Sequence, residues 1–279
     1  MKRICLVTIL LVGGCICAKG QDTSFVAHLR ALFVETSDQR KDSIADISIP
    51  KIKDFLASAG SKTFDFKSLK HVGVLKSPDN AFTMYFYNIK YRDGSFRHFG
   101  FVQVPAGAAF KVIFLNDKRA EIERPMDAKL SSDRWFGALY YQIIPIKLGQ
   151  RKVYTLLGTS FNNLFTTKKV IDVLELVGDE AIFGAPIFFD GKRKASRVIF
   201  EHSARYAMTL RYMADQEAIV FDHLVSSEPN SGNDFQFFGP DGSQDGFVFE
   251  NQQWVLRQKL DVRMPNRNKK KEFKTIKTY

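Results

Sequence analysis

AFTMYFYNIKYRDGSFRHFGFVQV, residues 81–104, is the stretch on which the reading of the whole chain turns. Residues 81–88 are rich in aromatic and apolar side chains and read as a strand. Arg92-Asp93-Gly94-Ser95 is a hairpin signal, because Asp-Gly supplies the positive backbone angles a tight connection needs. Residues 96–104 return as the second strand.

The same pattern continues outward. From about residue 72, short runs of Val, Ile, Phe and Tyr alternate with turn clusters such as Ser77-Pro78-Asp79-Asn80, Leu148-Gly149-Gln150 and Asp190-Gly191-Lys192-Arg193-Lys194. Strands are expected at 111–115, 136–146, 152–158, 169–176, 181–189, 196–202, 206–213, 217–224, 234–238, 246–250 and 254–258. Residues 166–174 have a spacing that also suits a helix, and their β-branched members favour a strand. Hairpin-length turns without helical crossovers make an antiparallel fold. No fixed-period repeat argues for a propeller. With 26 phenylalanines the core is expected to be aromatic-rich.

Ahead of residue 72 the period changes. Residues 22–35 place Phe25, Val26, Leu29, Leu32 and Phe33 on one helical face, with Thr23 or Ser24 as cap. A polar stretch over 36–46 follows. A second, short helix is expected near Ser48, with Pro50 in its first turn, Ile52, Phe55 and Leu56 inward, and Ala59-Gly60-Ser61 as its end. The expected fold is therefore mainly β: an antiparallel sandwich or strongly curved sheet with two N-terminal helices packed on it. The expected divisions are 1–20 signal peptide, 21–65 helical segment, 66–262 β domain and 263–279 basic tail.

The first twenty residues decide the expected location. Met-Lys-Arg precedes an uncharged apolar run, and Ala18-Lys19-Gly20 offers small residues for cleavage, the pattern of a secretory leader. The run is shorter than the roughly 20 apolar residues a bilayer span needs. A rival reading takes Val12-Gly13-Gly14-Cys15 as a lipobox, with Cys15 becoming a lipidated first residue. Either way the expectation is export to the periplasm or outer membrane. All three cysteines, Cys5, Cys15 and Cys17, lie in this leader, so the chain after residue 20 has no thiol for disulfides, catalysis or metal sites.

The formal charge of +11 is unevenly spread. The leader holds three cations and residues 263–279 hold seven against one acid, which leaves only about +2 for everything between. Such a tail suits anionic surfaces, lipid head groups or polysaccharide. A nucleic-acid partner is not expected of an exported chain.

Candidate chemistry is sparse. Glu201-His202-Ser203 and Asp222-His223 place acids beside histidines. Neighbours on a strand point to opposite faces, so neither acid can orient its own neighbour. A hydrolase drawing on Glu201, His202, Asp222 and His223 would need them to converge from separate strands. No Gly-x-Ser-x-Gly elbow supports a serine nucleophile. The five histidines form no zinc spacing. No cofactor is called for. Trp135, Tyr140 and Tyr141 carry aromatic area that either packs a core or stacks a sugar ring. Trp254 invites the same two readings.

The stretch FFGPDGSQDGF, 237–247, matches the first half of a calcium loop, with Asp241, Ser243 and Asp245 at alternate positions and Gly246 at the turn. Gln252 stands where a bidentate glutamate belongs, and the flanks are strand-like, so this is no EF-hand. The expectation is a hairpin turn built on Pro240 and Gly242. A calcium loop closed by distant carboxylates is the alternative.

Several phrases in order, at 153–158, 169–174, 219–224 and 239–247, resemble a set of uncharacterised exported proteins of Bacteroidota-type bacteria. The resemblance spans about 70–263 and implies a Gram-negative envelope location, without implying an activity or a site. Together these observations point to a non-enzymatic envelope protein that binds a glycan, a peptide or a protein. The secreted hydrolase and the calcium-stabilised module are the alternatives.

Overall fold

The computed structural model describes residues 23–260. The leader, the three cysteines and the basic tail lie outside them. The chain opens with α1 (Ser24–Val34) and α2 (Asp38–Ala57). It continues through β1 (Gly73–Lys76), β2 (Thr83–Lys90), β3 (Phe96–Ala106), β4 (Ala109–Asn116), β5 (Leu139–Leu148), β6 (Arg151–Phe161), β7 (Thr166–Val177) and β8 (Glu180–Phe183). Then come β9 (Phe188–Phe189), β10 (Lys194–Ala195), β11 (Val198–Ser203), β12 (Leu210–Met213), β13 (Ala218–Ser226), β14 (Phe238–Glu250) and β15 (Gln253–Arg257). The protein is mainly β, with two N-terminal helices packed on antiparallel sheets, one of them curled into a half-barrel.

The strands form three sheets, ordered β1-β2-β3-β4, then β11-β7-β6-β5 with β8 beside β7, then β10-β9-β15-β14-β13-β12. Pairing is antiparallel apart from β15 with β9. The sheets stack as layers beneath the helices, and period-two alternation puts each strand's two faces into different cores. On β2, Tyr85, Tyr87 and Ile89 meet the helices, while Met84 and Phe86 meet the second sheet. On β6 and β7, Tyr154, Leu156, Val170 and Leu174 face the first sheet, and Val153, Leu157, Ile171 and Val173 face the third. Burial on both faces explains why these strands read as nearly continuous apolar runs. The opening hairpin is as expected, with β2 and β3 in register from Thr83–Gln103 to Lys90–Phe96 around Gly94 at φ +86°.

The second helix differs from the expectation. It starts ten residues early, at Asp38, and Pro50 sits inside it. The polar residues that looked like a loop are held by the hairpin beneath. Tyr91 Oη and Arg97 Nη1 donate to Asp42, Arg97 Nη2 donates to Asp46, and the Arg92 amide donates to Asp38. Ala45 and Ser48 turn inward, Ser48 Oγ donating to the Ile44 carbonyl at 2.6 Å. The partners of Asp38, Asp42 and Asp46 lie some fifty residues away, so no local pattern announces them.

Four strand expectations are also redrawn. Run 206–213 is a strand only from Leu210. Run 181–189 breaks at Gly184, whose φ is +91°. Run 136–146 begins as a strand only at Leu139, and 235–237 form a single 3-10 turn.

Candidate functional site

The stretch 237–247 is not a hairpin turn. From Phe238 on it lies within β14, which pairs with β13 on both sides of an irregularity. Leu224 pairs with Pro240 and Asp222 with Gln244, so His223 alone stands opposite Asp241, Gly242 and Ser243. A larger-than-usual bulge of this kind, three residues against one, accommodates turn-forming residues inside a ladder. Gly242 takes φ +88°, and Asp241 accepts from both the Ser243 amide and Ser243 Oγ.

The bulge re-aims the candidate groups. His223 Nδ1 donates to Asp245 Oδ2 at 2.7 Å, while Asp245 Oδ1 accepts the Lys259 amide. Asp222 points away and accepts the Thr209 amide and Gln244 Nε2. So the acid that orients His223 is Asp245, from the next strand, and not its sequence neighbour. The His223 ring is partly exposed, with its Nδ1–H held by Asp245. Asp241, Ser243 and Asp245 do not surround one point, because Ser243 is spent on Asp241 and Asp245 on His223. Among the described residues no group of three or more His, Cys, Asp or Glu gathers as a metal site would require.

Glu201 and His202 go elsewhere. Glu201 accepts from Thr166 Oγ1 and Asn162 Nδ2 and pairs with Lys168. His202 is buried with Nδ1 donating to the Ser203 carbonyl at 2.9 Å. The four residues of the expected hydrolase site therefore do not converge. Of the aromatic candidates, Trp135 and Tyr140 are core residues, as is Trp254. Trp135 Nε1 donates to Tyr140 Oη, which donates to buried Asp172. Tyr141 is 43% exposed, but its hydroxyl is bound to the Leu210 carbonyl and its ring carries Lys169. Burial takes Trp135 and Tyr140 away from any ligand, and Tyr141 keeps an exposed ring with Lys169 over it.

The most exposed aromatic rings lie on connections to which the sequence assigned no site. Residues 162–165 join β6, which ends at Phe161, to β7, and 204–207 leave β11. Phe165 is 61% exposed, Leu164 55%, Tyr206 50% and Phe161 37%. The two loops are tied by the Ala204 amide donating to the Phe165 carbonyl. Leu164 lies over Gly94 of the opening hairpin, and Tyr206 lies over Gly239, where a Cβ would come within 2.7 Å of its ring. Asn163 Oδ1 accepts the amides of Phe165 and Thr166, which sets the bend of the first loop.

A buried polar cluster anchors this rim from below. His98 Nδ1 donates to Asp117 Oδ2 at 3.2 Å, and His98 Nε2 accepts the Phe161 amide at 3.3 Å. Arg119 donates to Ser160 Oγ, to the Phe161 carbonyl and to the Phe96 carbonyl. The rings of Phe161 and Phe96 are 5.2 Å apart. None of His98, Asp117 or Arg119 was a candidate from sequence. The local hint is His98 lying among the Phe, Gly and Val residues of β3.

Compared with family models, curated proteins and solved structures, the chain matches none.

The cluster has a pH signature. Burial, with the charge of Arg119 beside it, pushes His98 below its ordinary value of 6.5 against the opposing hydrogen bond to Asp117. Burial likewise lowers His202, with Lys169 adding to it. Both histidines are thus neutral in the fold at a pH where the unfolded chain takes up protons. Their contribution is present above about pH 6.5 and is lost as pH falls through the lowered folded values, at about 1.4 kcal/mol per unit of separation. The urea midpoint should fall between pH 7 and pH 5, and His98→Gln should flatten that fall. A variant slope equal to the parent's would show that His98 does not titrate this way.

Proposed function

We propose that this chain is an exported, non-catalytic binding protein of a Gram-negative cell envelope, and that it holds a glycan on the rim formed by residues 161–166 and 204–207. The carrying observation is the exposure of Phe165, Tyr206, Phe161 and Leu164 on two loops pinned to each other and to the layers below. Apolar side chains held out into solvent mark an interaction surface. Three of the four are aromatic rings, whose faces suit the C–H face of a pyranose. Exposed Asn163, Arg205 and Arg92 bring polar and cationic groups around them, which suits an acidic sugar. Export is supported by the basic, apolar and small-residue order of the leader, and an envelope location by the resemblance to Bacteroidota exported proteins.

The mature chain, 21–279, should retard on gels containing an acidic polysaccharide and less so with a neutral one. Phe165→Ala with Tyr206→Ala should weaken that binding at least about tenfold, the loss of roughly 1.4 kcal/mol or more that two stacking contacts supply. Val177→Ala, which trims an exposed side chain of β7, should leave it unchanged. Binding that survives the double substitution would move the ligand off the rim.

One observation favours a second reading. Asp245 holds Nδ1 of the partly exposed His223 ring, the pairing by which a carboxylate orients a general base. If the protein hydrolyses esters or glycans, turnover should drop at least about a hundredfold in both His223→Ala and Asp245→Asn. Turnover unaffected by either substitution would retire this reading.

A further inference from the structure

Phe161, the first residue of the rim, is held through both of its backbone groups by the buried cluster beneath. Its amide donates to His98 Nε2 at 3.3 Å, and its carbonyl accepts from Arg119 Nη1 at 2.6 Å. The His98 ring is fixed in turn. Asp117 Oδ2 accepts the His98 amide at 3.0 Å and Nδ1 at 3.2 Å, and Asp117 Oδ1 accepts the Arg119 amide. With its one proton on Nδ1, the neutral ring presents Nε2 as an acceptor, the form that the Phe161 amide requires. A second proton, on Nε2, sets one N–H donor against another. It also adds a positive charge beside Arg119, which holds the Phe161 carbonyl. One proton therefore works against both grips on Phe161.

The charges that act on His98 are those of Asp117 and Arg119, on the connection after β4. Its register partner on β2 is the uncharged Asn88, and Lys90 beyond lies over the Phe96 ring. β6 brings Ser160 and Phe161, and residues 162–165 carry no charge. From Phe161 the contacts run on through the rim. Leu164 lies over Gly94, and the Phe165 carbonyl accepts the Ala204 amide, two residues before Tyr206.

We infer that His98 is an acid-sensitive latch on the rim. Neutral, it fixes Phe161 and the connection that follows in the ligand-holding arrangement; protonated, it releases them, so that ligand is let go as pH falls. The released ligand is that of the rim proposed above, and for it the inference rests on that reading; the latch itself is tested in the free protein. Sign and direction agree. Burial and Arg119 keep His98 neutral below its ordinary 6.5, so the latch is closed at neutral pH. By reciprocity, bound ligand favours the neutral ring and holds its titration at lower pH.

The test is nuclear magnetic resonance of the mature chain, 21–279, between pH 7.5 and pH 5, following the His98 ring nitrogens and the backbone amides. The Phe161, Phe165 and Ala204 amide signals should shift with the same midpoint as His98 Nε2. The protection factor of the Phe161 amide should fall at least about tenfold across that midpoint. In His98→Gln these amides should be insensitive to pH, and His202→Gln should respond as the parent does. If His98→Gln does not fold, agreement of the two midpoints in the parent decides. Affinity for dextran sulfate, whose charge is constant over this range, should weaken about threefold between pH 7 and pH 5, and should not weaken in His98→Gln. Plain attraction would act in the opposite sense, since protonated histidines add positive charge. Failure of dextran sulfate to bind at pH 7 would count against the rim reading, and the amide signals would still decide the latch. A His98 ring that stays neutral to pH 5, Phe161 signals that do not follow it, or equal shifts in His98→Gln would each overturn the latch.

Discussion

Arg197→Met is expected to cost about 3–5 kcal/mol, a large share of the 5–15 kcal/mol that holds a typical domain together. Arg197 and Asp172 are both fully buried, and Arg197 Nε donates to Asp172 Oδ2 at 2.7 Å. The same carboxylate accepts from Tyr140 Oη at 3.0 Å and from the Val173 amide at 2.8 Å. Arg197 Nη1 donates to the Pro125 carbonyl, which secures the long connection between β4 and β5. Losing the guanidinium leaves an uncompensated charge between two sheets, and that penalty, more than the lost bond, sets the size of the effect. Adding Asp172→Leu to Arg197→Met should recover most of the loss, because the pair is replaced by apolar volume. Urea unfolding at pH 7 reads both variants. A single substitution costing less than about 1 kcal/mol, or a double one no better than the single, would show that the pair is not electrostatically isolated.

Trp254→Ala should cost a similar 3–5 kcal/mol, by a different route. Trp254 is 1% exposed and fills the core between the second and third sheets. Phe249 and Tyr212 lie 5.0 and 6.3 Å from it, and its Nε1 donates to Thr155 Oγ1 at 3.0 Å across the sheet boundary. Alanine removes a large apolar area and leaves a cavity that two sheets cannot close by sliding together. Trp254→Phe retains most of the volume and leaves Thr155 without its donor, so its cost should be nearer 1–2 kcal/mol. Combining it with Thr155→Val should not add a further full penalty, since the two changes remove one bond. Denaturant melts of the four proteins would show this, and additive losses would deny the coupling.

Much of the architecture is carried by local signals. The aromatic and β-branched runs, Asp-Gly at 93–94 and the helical spacing of Phe25, Leu29 and Leu32 each act within a few residues. Strand content and the antiparallel hairpins follow from them. The early start of α2 does not, because Asp42 and Asp46 become helix-compatible only when Arg97 and Tyr91 lie beneath them. The same separation hid the partners of the candidate residues. Opposite faces for Asp222 and His223 follow from the two-residue period of a strand, and that part stands. That Asp245 reaches His223 depends on a three-against-one bulge, and nothing in FFGPDGSQDGF distinguishes a bulge from a turn, since both use Pro, Gly and Asp for the same backbone angles.

The aromatic residues show the division most plainly. Trp135, Tyr140 and Tyr141 stood out by composition, and packing of the first two sheets buries the first two of them. Phe165 and Tyr206 were not candidates, and among the described residues they are the most exposed aromatic rings. Sequence by itself determined the elements, their antiparallel sense and the aromatic character of the cores, because those depend on side-chain period and on backbone preference at single positions. Tertiary structure alone decided which aromatic rings are exposed, which carboxylate meets which histidine, and that the Tyr87 hydroxyl finds no partner among the described residues, because each depends on which layer comes to lie against which face.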